Sequence, residues 1–87
     1  MPFPCPCCGY LTLPAPAEDA VAFVCPVCFW ENDVFTASSD EPSDENHGLS
    51  LFEGRANFQA FGACCREMLP HVRPPRPEER RQSGGTL

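Results

Sequence analysis

Cys5-Pro6-Cys7-Cys8-Gly9-Tyr10 and Cys25-Pro26-Val27-Cys28-Phe29-Trp30 are two versions of one unit. Each holds two cysteines separated by two residues, with a proline after the first, and sixteen residues lie between the pairs. That spacing falls inside the window for a four-cysteine zinc site. Its basis is mechanical: a tight turn across two residues presents two sulfurs to one ion, and a hairpin can bring the second turn opposite the first. Zn²⁺ then takes four thiolates at about 2.3 Å. Pro6 and Pro26 hold φ where such a turn needs it. Gly9 stands where a positive φ is often required. Phe29 takes that place in the second unit, and a bulky side chain resists positive φ, so the second turn is expected to differ in shape from the first.

The metal ligands read from this pattern are Cys5, Cys8, Cys25 and Cys28, holding one structural Zn²⁺. Four thiolates suit iron as well, so the spacing alone does not select the ion. Four protein ligands leave zinc no open position for water or substrate, which removes the usual basis of metal catalysis. The site is therefore expected to staple the fold.

Working outward, Tyr10-Leu11-Thr12-Leu13 follows the first pair and Val21-Ala22-Phe23-Val24 precedes the second. Both runs are β-prone, and Pro14-Ala15-Pro16-Ala17-Glu18-Asp19 between them suits a solvated turn. An antiparallel hairpin of these two runs is the economical expectation. Residues 36–46 are rich in Ser, Asp, Glu and Pro and read as a loop. Ser50-Leu51-Phe52-Glu53 has the capping-box pattern. It predicts a helix from Leu51 to Met68, in which Leu51, Phe58, Phe61, Cys65 and Met68 form the apolar face. Gly54 and Gly62 weaken that helix, and Pro70 ends it.

The expected architecture is a small α+β domain over residues 1–69, a zinc-ribbon-like β-hairpin with one packed amphipathic helix, stapled by metal. Residues 70–87, with four prolines counting the boundary Pro70 and four arginines, are expected to be a disordered Arg/Pro-rich tail.

At 87 residues the chain can bury only a modest core, so a staple is needed. Seven cysteines could supply disulfides or metal ligands. The first nine residues contain no basic start or apolar run of the kind an export signal has. The cytoplasm, where thiols stay reduced, is thus the expected compartment. No run approaches a membrane span. Residues 1–69 carry ten acids against Arg55 and Arg66. This acidity disfavours nucleic acid as a partner and favours a protein.

Four blocks resemble the cysteine-rich CPCC domain family of small bacterial proteins: the two cysteine units, Asn46-His47 with Leu49-Ser50-Leu51, and Asn57-Phe58 with Phe61-Gly62. The resemblance covers about residues 5–64 and implies a small zinc-ribbon-like domain without implying a reaction. The expected function is a non-enzymatic, zinc-binding module for protein interaction or regulation. The alternative is a thiol-redox or metal-handling protein using Cys7 and Cys64, and a nucleic-acid-binding ribbon is a third reading. Cys7 stands between two ligands at poor spacing to share their metal. Cys65 reads as a buried hydrophobe and Cys64, about 100° away around the helix, as exposed. Asn46, His47 and Ser50 read as capping and loop closure in preference to catalysis, with His47 a substitute metal ligand if a cysteine is not used. Tyr10, Phe23, Phe29 and Trp30 are expected to cover the site.

Overall fold

Both cysteine turns close in the same way. In the first, the Gly9 N–H donates to the Cys5 carbonyl (2.8 Å) and the Cys5 N–H to the Tyr10 carbonyl (2.8 Å). In the second, the Phe29 N–H donates to Cys25 (2.7 Å) and the Cys25 N–H to Trp30 (3.0 Å). Gly9 has φ 81° and Phe29 has φ 66°. The expected difference in shape is therefore absent. Phe29 accepts the left-handed conformation at a steric cost that Gly9 avoids, and its ring finds compensation by stacking on His71, with centroids 5.3 Å apart and planes 29° apart.

The computed structural model describes residues 2–80. β1 (Phe3–Pro4) runs antiparallel to β2 (Leu11–Leu13), so the hairpin forms around the first cysteine turn itself. This corrects the expected pairing of the two β-prone runs: the second run contributes one bridge, Val24 to Glu31, across its own cysteine turn. Each turn captures its nearest flanks because closing a short loop costs less entropy than closing a long one. The register of the first hairpin slips between Phe3 and Pro4, pairing Phe3 with Leu13 and Pro4 with Leu11. Thr12 is the extra residue, and such a bulge redirects a side chain.

The helix α1 spans Leu51–Phe61. Its start is as expected: the Glu53 N–H donates to the Ser50 hydroxyl (3.1 Å) and the Ser50 N–H donates to the Glu53 carboxylate (2.9 Å). Its end is earlier than Met68. Gly62 takes φ 93° and caps the helix through its N–H to the Phe58 carbonyl, a left-handed stop that glycine adopts readily. Residues 63–65 then run buried beneath the second cysteine turn, with the Cys64 N–H donating to the Cys28 carbonyl (2.8 Å). Cys64 is consequently buried beside Cys65, which overturns the expectation that it is exposed.

Gly54 has a role beyond tolerating the helix. A Cβ on it would lie 2.9 Å from Cε3 and Cζ3 of the buried Trp30 ring. Gly54→Ala gains about 1 kcal/mol of helix propensity, but a Cβ at that distance forces the buried indole to shift, and overpacking costs about 1–3 kcal/mol. Net destabilisation is expected in urea melts, and Trp30→Leu in the same chain should reverse its sign. A stabilised single variant would show the contact to be soft.

Residues 70–80 also depart from expectation, since they follow a defined path. The Arg73 N–H donates to the Pro26 carbonyl (3.1 Å), and the Arg73 guanidinium binds Glu79 through two hydrogen bonds of 2.8 Å. This pair holds the Glu79 carboxyl down at about 2. The turn Pro77–Glu79 lies beside β2. Composition predicted disorder because it cannot see that Pro26 and Phe29 offer this segment a docking place. Residues 81–87 of the expected tail lie outside the described residues. The described residues form a small α+β, zinc-ribbon-like fold with one two-stranded hairpin, one α-helix and four clustered cysteines.

Candidate metal centre

The two turns face each other and bring Cys5, Cys8, Cys25 and Cys28 together, all four sulfurs within 4.8 Å of one another. Cys5 Sγ lies 3.7 Å from Cys28 Sγ, and Cys8 Sγ lies 3.7 Å from Cys25 Sγ. A tetrahedron with metal–sulfur bonds of about 2.3 Å has sulfur–sulfur edges of about 3.8 Å. The spacing therefore fits one four-coordinate ion. No more than 3% of any of these four residues reaches solvent.

The electrostatics agree with a site built for a cation. The hydrogen bond shared by Cys25 and Cys28 pushes the Cys25 thiol far down and the Cys28 thiol far up. Neighbouring S–H groups can solvate one thiolate here, but a second and third face its charge at close range. A divalent ion removes that conflict and allows all four to ionise. Thr12, turned inward by the bulge, places Oγ1 3.1 Å from Cys25 Sγ. Its hydroxyl stands where an outer hydrogen bond would tune and orient the Cys25 sulfur on a metal. No spacing rule announces Thr12, because only the register slip aims it.

Of the four aromatic residues expected to cover the centre, Trp30 lies within the buried cluster and Tyr10 packs against it, while Phe29 stacks on His71. Trp30 is buried, and Tyr10 meets Phe58 edge to face with centroids 6.1 Å apart. Buried Cys5, Cys7, Cys8, Cys25, Cys28, Cys64 and Cys65 form a single cluster with Val27 and Trp30. The apolar core and the sulfur site are thus one place.

The remaining candidates separate cleanly. Cys7 is buried and outside the four-sulfur group. Burial pushes the Cys64 thiol up to about 12, with the charges of Cys65 and Cys7 adding to the effect. His47 is exposed at φ 61° and lies outside the four-sulfur group. Ser50 caps α1. Asn46, weighed as part of a catalytic constellation, instead acts as a strand: its Oδ1 accepts from the Glu31 N–H and its Nδ2 donates to the Glu31 carbonyl, both at 2.8 Å. Nδ2 also donates to the Ser43 hydroxyl (2.9 Å), which in turn donates to Asp33 (2.7 Å). The acidic loop is thereby pinned to the edge of the second cysteine turn.

The family model of the cysteine-rich CPCC proteins matches residues 3–79. The chain belongs to that family. The match runs from β1 through Arg73 and Glu79, so the CPCC domain includes the segment that docks on Pro26. No curated protein and no solved structure matches the chain. Among the described residues, no helix is long and apolar enough to cross a membrane.

Proposed function

We propose that this CPCC domain is a non-enzymatic module, folded around one structural zinc ion held by Cys5, Cys8, Cys25 and Cys28, that offers an acidic surface to a protein partner in the cytoplasm. The observation that carries the reading is the buried cluster of four sulfurs, all within 4.8 Å of one another. Such a site has no vacancy through which a substrate could reach the ion. Zinc is favoured over iron because a small domain needs a staple and zinc, which has no redox chemistry of its own, serves as one. The acidity of residues 1–69 supports a protein partner over nucleic acid.

Native mass spectrometry joined to a thiol count tests the proposal. One zinc per chain is expected, with none of the seven cysteines reacting rapidly in the zinc-loaded protein. A bound iron would overturn the choice of metal. A fast-reacting Cys7 or Cys64 would favour the thiol-redox alternative, against which the burial of both already speaks.

A further inference from the structure

Residues of four separate segments meet around a cavity of about 380 Å³. Its apolar lining includes Pro6, Trp30, Val34 and Leu51, and Glu18 and Asp33 add negative charge. Two chain neighbours of this lining are exposed phenylalanines. Phe35, between Val34 and Thr36 of the lining, is 80% exposed, the most exposed large apolar side chain among the described residues. Phe52, next to Leu51, is 57% exposed.

These rings are presented by a braced loop. Asp33 accepts from the Phe35 N–H (2.9 Å) and from the Ser43 hydroxyl (2.7 Å), the Ala37 N–H donates to Glu41 (2.7 Å), and the Phe52 N–H donates to the Ser39 carbonyl (3.0 Å). A braced surface loses little entropy on binding. Water-exposed phenylalanines beside an apolar cavity are the anchors from which protein contacts are built. The loop that carries Phe35 also carries Asp33, Asp40 and Glu41, and Glu53 follows Phe52. Arg55 is the cation nearest in the chain to this face, and its Nε already donates to the Pro6 carbonyl (2.8 Å).

We propose that the surface formed by Phe35, Phe52 and the Trp30–Leu51 cavity is a docking site for a basic peptide segment of a partner protein, which inserts one large apolar side chain and sets Lys or Arg against the flanking acids. This deepens the interaction role proposed above and rests on it. Charge complementarity selects the occupant: the surface repels acidic segments and nucleic acid, and its cavity takes one large side chain.

A random short-peptide library displayed on phage and selected on the zinc-loaded protein tests the assignment. Enrichment of sequences with several Lys or Arg residues around one Phe, Trp or Leu is expected. Synthetic versions of these should lose about tenfold in affinity or more when Phe35→Ser and Phe52→Ser are combined. Those exposed positions leave the core untouched, and zinc content measured in the same samples verifies that the variant is folded. Glu18→Lys should weaken binding separately, with a reduced dependence on salt. Selection of acidic or uncharged peptides, failure to enrich any, or equal binding to the variant would overturn this surface. Equal binding to the variant would still leave an interaction role by another face, whereas a protein without zinc would sink the broader reading itself.

Discussion

Stripping the metal from the loaded protein with a strong chelator is expected to unfold it outright. A four-thiolate zinc site is worth about 10 kcal/mol of apparent folding free energy, comparable with the whole stability of a small domain. The argument is stronger here than for a domain with a separate core, because the buried sulfurs and the apolar cluster coincide. Without the ion, Cys5, Cys8, Cys25 and Cys28 face a choice between protonation and mutual repulsion, and little aliphatic packing remains to hold the two turns together. Circular dichroism and amide dispersion should collapse together and return on adding Zn²⁺, while Mg²⁺ and Ca²⁺, which prefer oxygen ligands, should restore nothing. Acid should act as the chelator does, since protons compete for the same sulfurs. A chelated protein that keeps its dispersed spectrum would show that packing alone sustains the fold.

Asn46→Ala is expected to cost about 3 kcal/mol in the metal-loaded protein, since each buried backbone group left unpaired costs about 1–3 kcal/mol. Asn46 is buried and pairs both the N–H and the carbonyl of Glu31. Removing its amide orphans the two groups and frees the Ser43 hydroxyl. Asn46→Asp should do no better: it keeps an acceptor for the Glu31 N–H, loses both donated bonds, and brings a charge beside Glu31, whose carboxyl is already pushed up by desolvation and by Glu45 and Asp33. Urea midpoints measure the cost, and hydrogen exchange locates it, because the Glu31 amide should lose its protection first. A loss below about 1 kcal/mol would mean that water replaces the side chain at little expense.

These two sites mark the limits of what could be read in advance. The four cysteines were legible because turn geometry fixes their spacing, and the Ser50–Glu53 cap because it is local chemistry between residues three apart. Pairings set by the folded shape were not. The strands close on their own cysteine turn instead of across the Pro14–Asp19 segment, because the shorter closure wins. Gly62 reads as a weak point in a longer helix until the burial of Cys64 against Cys28 shows why the chain must leave the helix there. Phe29 argues against a positive φ that His71, 42 residues away, helps it to hold. Asn46 resembles a catalytic residue by its neighbours and is a strand mimic by its partners. Thr12 reaches Cys25 only through a slipped register.

The merging of core and sulfur cluster bears on how the chain comes to exist at all. Where most of the buried cluster gathers around a metal site, folding on the metal is a second-order reaction between chain and ion, and its rate and equilibrium both depend on how much free ion the surroundings hold. Each tenfold rise in free metal well above the dissociation constant adds about 1.4 kcal/mol to the folded state. In a metal-starved cell, newly made chains would wait unfolded and be cleared by proteases, so the abundance of the domain would follow metal supply with no dedicated sensor.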